Sequence, residues 1–174
     1  VNSFRCYLSE DKAFFAILTD ERFASLLSEG ERAFVAAYVP WTRKVEERRA
    51  QWKGRTIDLL PFLEQHREQL VLKPTHGYGG DNVIVGSSVD DHRWSGAVQA
   101  ASAKGGWIVQ ERVEIPEEEF PVFDADGSLG FESLKVNTNP FYVGGAEVGA
   151  VTRISRDAVI NVSALAALGK AVTP

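Results

Sequence analysis

Apolar positions recur at three- and four-residue spacings through the first third of the chain. Phe14, Phe15 and Leu18 form a helical stripe, with Ser9 the expected N-cap and Glu10 and Asp11 in the first turn. Asp20 opens a second short helix through Phe23, Leu26 and Leu27. Ser28 and Glu31 have capping-box spacing ahead of Phe34, Val35 and Tyr38, and Pro40 stops that helix. Thr42 is the expected cap of a charged helix ending near Gly54. Asp58 opens another helix, with Pro61 tolerated early and Phe62 and Leu63 facing inward.

The pattern changes at residue 69. Gln69 to Lys73 reads as a strand ending at Pro74, Thr75 to Asn82 as a glycine-rich turn, and Val83 to Gly86 as the second arm of a hairpin. Asp90 or Asp91 caps a helix to about Lys104, ended by Gly105 and Gly106. Trp107 to Val113 is a third strand, stopped by Pro116. Residues 129–136 and 141–154 read as further strands, and Val159 to Val162 as a short last one. The expected architecture is α+β. It comprises a helical segment over 1–68, a small, mostly antiparallel β subdomain with one crossing helix over 69–116, and C-terminal strands over 117–174.

Composition narrows the partners. The chain has 174 residues, 44% of them hydrophobic, enough for an ordinary packed core. A net charge of -5 gives no basic footprint for nucleic acid. No apolar run approaches the ~20 residues of a membrane span. The single cysteine, Cys6, cannot form an internal disulfide and fits a reducing, cytoplasmic compartment. The chain starts at Val1 and has no methionine, which leads us to expect a piece of a longer protein.

The most informative segment for chemistry runs from Leu72 to Val83. Gly77, Gly79 and Gly80 free the backbone for positive φ and close approach to a ligand, and their N–H groups can form an anion-binding concavity. The segment is neither a P-loop nor a dinucleotide fingerprint, because no Gly-Lys-Ser/Thr follows and Asn82 stands where a last glycine is needed. Taken alone, it also fits an ordinary glycine hairpin turn. Lys73 ends an apolar strand beside it, where an ammonium reaches a phosphate or simply meets solvent. Glu111 interrupts the face shared by Trp107, Val109 and Val113, and needs a cation or donors if buried. Lys12 sits in the first turn of its helix, where the dipole disfavours a cation unless an anionic ligand is near. Arg153 ends a strand interrupted by Gly144, Gly145 and Gly149, and either recognises phosphate or carboxylate or is a surface arginine. His66, His76, His92 and Cys6 have no zinc-ligand spacing.

The order of these pieces resembles the circularly permuted ATP-grasp family, the lineage of glutathionylspermidine synthetase-like ligases. The resemblance rests on Ser9-Glu10-Asp11-Lys12-Ala13, then Leu72-Lys73-Pro74, then Gly77-Tyr78-Gly79-Gly80. It continues through Ile108 to Val113, Asn139-Pro140, Gly149 to Ser155 and Ile160 to Ser163, and so covers nearly the whole chain. It implies ATP and Mg2+ as cofactors, held between a small β subdomain and a larger one. Lys12 and Lys73 match the two phosphate-binding lysines, and Gly77, Tyr78, Gly79 and Gly80 match the lid. Gln110, Glu111, Arg112 and Val113 match the hinge facing adenine, whose backbone reads the base. Arg153 matches the catalytic arginine near the terminal phosphate.

The implied chemistry is ATP-dependent ligation of a carboxylate to an amine through an acyl phosphate, on small-molecule or peptide substrates. Two departures stand out. The family's Mg2+-binding Asp and Glu-X-Asn set, which precedes the first lysine helix, is not seen before Lys12, so the metal ligands are unassigned; Asp124 and Glu132 have no argument as ligands. Ser163 to Ala167 stands where relatives carry a glycine-rich tail. The resemblance therefore implies a missing N-terminal half and an inactive isolated piece. The competing readings are a degenerate, non-catalytic module that binds nucleotide or a partner, and a plain scaffold.

Overall fold

The computed structural model describes residues 4–77, 79–123, 125–157, 159 and 167–170. The fold is mixed α+β with antiparallel sheets, in two compact units, Val1–Val113 and Glu114–Pro174.

The first unit opens with α1 (Cys6–Glu10) and α2 (Ala13–Thr19), where a single helix is expected. The break falls at Asp11-Lys12, where the Asp11 carboxylate accepts the Ala13 N–H at 2.8 Å. Ser9 is not the cap, because its hydroxyl turns back to the Cys6 carbonyl at 2.8 Å. Asp20 caps a 3-10 turn over Glu21–Leu26, and Ser28 and Glu31 form the expected capping box at the start of α3 (Glu29–Tyr38).

The expected helix over 42–54 is instead β1 (Thr42–Lys44) and β2 (Arg49–Trp52), followed by β3 (Arg55–Asp58). Lys53 and Gly54 both take positive φ, 47° and 79°, and make the two-residue turn that pairs β2 with β3. Ala50 and Trp52 point to the core while Arg49 faces solvent, the period of two that a strand requires.

The remaining elements of this unit follow the sequence pattern. They are α4 (Leu59–Gln65), β4 (Leu70–Pro74), β5 (Ile84–Val85), α5 (Asp91–Lys104) and β6 (Trp107–Glu111). Asp90 caps α5 and Gly105, at φ 69°, ends it. The sheet runs β1-β6-β4-β5 and is antiparallel at every pairing. Leu59, Phe62 and Leu63 of α4 and Trp94, Val98 and Ala101 of α5 pack with Leu70, Leu72 and Val109 of the sheet. The Trp94 indole donates to the Leu63 carbonyl at 2.9 Å, so the largest buried ring leaves no polar atom unsatisfied.

The second unit is an antiparallel sheet in the order β10-β9-β8-β7. Its strands are β7 (Glu117–Phe123), β8 (Leu129–Val143), β9 (Ala146–Ser155) and β10 (Ala167–Lys170). β7 is absent from the expectation because three glutamates and Pro121 obscure it; an edge strand tolerates both. β8 runs unbroken through residues 137–140, where a gap is expected. Pro140 sits opposite Ala150 of β9, beyond the stretch paired with β7, so no ladder bond on that side needs its missing N–H. The turn lies at Gly144 and Gly145, at φ 60° and 84°. Of the expected strand at 159–162, residues 160–162 fall outside the described residues, and Val159 is not in a strand.

Candidate functional site

β4 and β6 are neighbours, and their pairing sets Lys73 and Gln110 on one face. The Lys73 Nζ donates to Gln110 Oε1 at 2.7 Å. The break between α1 and α2 delivers Lys12 to the same place. Its backbone N–H donates to the Thr75 carbonyl at 2.9 Å and its Nζ to the Gly77 carbonyl at 2.8 Å. Asp11 pairs with His76 at 3.1 Å, and the Tyr7 ring stacks on that imidazole. The first arm of the glycine loop is thus held by the helix break, and Lys12, Lys73, Gly77 and Gln110 come together.

The electrostatics of this cluster are unusual. Burial, and then the nearby Lys12 charge, push the Lys73 ammonium below the ordinary lysine range. Among the described residues no carboxylate pairs with either lysine. The loop beyond them is built from left-handed backbone, with φ of 131°, 69°, 75° and 58° at Gly77, Gly79, Gly80 and Asn82. Tyr78 lies outside the described residues.

The other residues expected at the hinge point elsewhere. Glu111 pairs with Lys53 at 3.1 Å, which explains a carboxylate on an otherwise apolar face. The Arg112 guanidinium donates to the Ser87 hydroxyl at 3.2 Å. Along the backbone, the Glu111 N–H donates to the Trp41 carbonyl and the Arg112 N–H to the Gln69 carbonyl, both at 2.8 Å. The Val113 amide meets no acceptor among the described residues. Residues 111–113 line a cavity of about 770 Å³ with Trp41, Arg43, Trp52 and Lys53; Lys12 and Lys73 lie outside it.

A second charged cluster braces this corner. Asp20, 3% exposed, receives Arg22 at 2.8 Å and Arg48 at 2.6 Å. Burial alone would raise its carboxyl, but these hydrogen bonds outweigh burial and hold it well below the usual carboxylate range. Arg43, buried against the Trp41 ring, reaches the Thr19 carbonyl at 2.9 Å and Glu21 at 2.9 Å. These contacts join α2, the 3-10 turn and β1 and read as bracing of that corner.

Arg153 belongs to the second unit, on β9, in register with Asn137 on β8 and Leu168 on β10. Its Nε is buried without an acceptor among the described residues. Glu132 is taken by Arg156 through two hydrogen bonds of 2.7 and 2.8 Å, and Asp124 lies outside the described residues. Among the described residues no three His, Cys, Asp or Glu side chains form a metal cluster, and no helix is long and apolar enough to cross a membrane.

Thr42 is the site residue that the sequence pattern hides. Read as a helix cap, it is instead a strand residue whose hydroxyl meets the Gln110 amide at 2.9 Å. The Lys53-Gly54 pair between alternating residues is the signal that identifies this stretch as a hairpin. No protein-family model matches the chain, and no curated protein matches it.

Proposed function

We propose that this chain is the nucleotide-binding part of an ATP-dependent carboxylate–amine ligase of the circularly permuted ATP-grasp kind, working through an acyl phosphate. The observation that carries this reading is the meeting of Lys12 and Lys73 at the first arm of the glycine loop, with neither ammonium paired to a carboxylate among the described residues. Holding two cations together unneutralised is unfavourable, and an anion bound between them removes the conflict. A triphosphate fits the donor set: two ammonium groups and a left-handed glycine loop.

In this reading Lys12 and Lys73 hold the phosphates, and Gly77, Tyr78, Gly79 and Gly80 cover them. Residues 110–113 face the adenine, for which the unclaimed Val113 amide is a donor. By the family resemblance Arg153 is the arginine that would act on the transferred phosphoryl group, and its guanidinium, whose buried Nε has no acceptor among the described residues, suits an anion. ATP, with Mg2+ bridging its phosphates, supplies the phosphoryl group that activates the carboxylate. The protein's own contribution is positioning and charge stabilisation.

Calorimetric titration of ATP into the full-length protein and its Lys73→Ala form tests the reading. Loss of a charged hydrogen bond to phosphate is expected to weaken binding by about 1.5–3 kcal/mol, roughly ten- to a hundredfold. Equal affinities would overturn the assignment. Tight ATP binding with no substrate-stimulated phosphate release by the full-length protein would mark a binding module in place of a ligase.

A further inference from the structure

We infer that Thr42 and Gln110 are positioning residues for Lys73: a buried hydrogen-bond chain aims its ammonium while leaving its charge unneutralised for an anion. The inference rests on the proposed function for the identity of the anion, but the chain itself is a matter of geometry. Lys73 Nζ donates to Gln110 Oε1 at 2.7 Å, Gln110 Nε2 donates to Thr42 Oγ1 at 2.9 Å, and Thr42 Oγ1 donates to the Pro40 carbonyl at 2.8 Å. Thr42 is 0% exposed and Gln110 8%.

The direction of this chain is fixed at both ends. The Pro40 carbonyl can only accept, so the single Thr42 hydroxyl proton is committed to it. Thr42 Oγ1 therefore has only lone pairs to offer Gln110, and the Gln110 NH2 must turn toward it. That leaves the Gln110 oxygen facing Lys73, whose ammonium can only donate. β1 and β6 make the arrangement possible because Thr42 and Gln110 are direct cross-strand partners.

The choice of an amide is what gives the chain a function beyond packing. A carboxylate at position 110 would hold Lys73 equally well but would neutralise it. A neutral acceptor orients the ammonium and leaves its full charge to a ligand. Among the described residues the charge felt at Lys73 is that of the Lys12 ammonium, which adds to the field an anion would meet.

Three variants of the full-length protein test this. Thr42→Ser keeps the hydroxyl, Thr42→Val removes it at nearly constant shape, and Gln110→Glu replaces the neutral acceptor with a charged one. Two readouts are used: the titration of the Lys73 side chain by NMR of 15N-labelled lysine, and ATP affinity by calorimetry. Thr42→Ser is expected to match the parent in both. Thr42→Val frees the amide to turn, so the Lys73 pKa is expected to fall further by about half a unit or more. ATP binding should weaken roughly three- to tenfold with it. Gln110→Glu should raise the Lys73 pKa above the parent value and yet weaken ATP binding by about tenfold or more.

An unchanged Lys73 titration in folded Thr42→Val would overturn the inference. So would Gln110→Glu binding ATP as tightly as the parent, and this second result decides the matter if Thr42→Val does not fold. A parent protein that binds no ATP would defeat the proposed function, while the NMR titrations still decide whether the chain aims Lys73.

Discussion

The two units of the molecule use antiparallel sheets in different ways. In the first, Leu63, Leu70, Leu72, Ile108 and Val109 are all fully screened from solvent, and α4 and α5 cover one face of the sheet. In the second, Leu134 is the only buried hydrophobic residue among those described, and Phe131, Phe141, Tyr142 and Val148 are each more than half exposed. A sheet gains stability by burying one face against another layer. The contrast therefore assigns most of the packing energy, and with it the rigid backing of the lysine cluster, to the first unit.

The largest test of that contrast is a pair of truncations. Leu72→Ala is expected to destabilise the first unit by about 2–5 kcal/mol, because the vacated space sits between α5 and two paired strands. Phe131→Ala, at a site 67% exposed, should change stability by no more than about 0.5 kcal/mol. Urea denaturation of both variants measures the difference. Similar losses would mean that the apolar surface of β8 is covered in the working protein and that the contrast is false.

A second test separates the roles proposed for residues of the two units. The proposed function gives Lys12 and Lys73 of the first unit to binding, and Arg153 of the second to turnover. A guanidinium binds two oxygens at once, which an ammonium cannot copy. As charge shifts among the phosphoryl oxygens, a preorganised donor grows stronger. Arg153→Lys in the full-length protein is expected to leave ATP affinity within a few-fold and to lower kcat by about a hundredfold, the scale of one lost donor. An unchanged kcat with the fold intact by circular dichroism would make Arg153 an ordinary sheet residue.

Legibility from sequence followed the same physical lines. The caps at Asp20, Ser28 and Asp90, and the glycine stop at Gly105, were readable because capping depends on residues a few positions apart. The helix break at Asp11 was not, because Glu10 and Asp11 behind Ser9 look like the first turn of one helix; the contacts that hold the break, to Thr75 and Gly77, are distant in sequence. The stretch from Thr42 to Gly54 failed for a related reason. Its dense charges suggested an exposed helix, whereas several are spent on partners far away, Arg43 on Glu21 and Arg48 on Asp20. Lys12, Lys73 and the glycine loop could be picked out as candidates for chemistry. That Gln110 turns its side chain to Lys73, with Thr42 behind it, required the register of β1, β6 and β4.

The smallest expected effect probes the electrostatic asymmetry directly, and it needs no ligand. Lys73 is held below its ordinary pKa by burial and by Lys12. Between the folded-state value and the unfolded value near 10.5, the unfolded chain binds more protons at this position than the native one. Stability from this group therefore rises with pH across that window and is lowest below it, where the ammonium is charged in both states. Lys73→Met has no such proton. Its stability relative to the parent should be highest near neutral pH and should decline as the pH rises through the alkaline range, by at most about 1.4 kcal/mol per pH unit, the limit for one proton. Comparing the two proteins by urea denaturation at several alkaline pH values cancels the titration of every other lysine and tyrosine. Removing the ammonium also strips Gln110 Oε1 of its donor, which offsets the stability difference by a constant and leaves its slope intact. A flat difference from pH 7 to pH 10 would show that the Lys73 pKa is not lowered in the native state. The case for a cation kept ready for an anion would then lose its physical basis, leaving the first unit with a packed core and a lysine at the end of a strand.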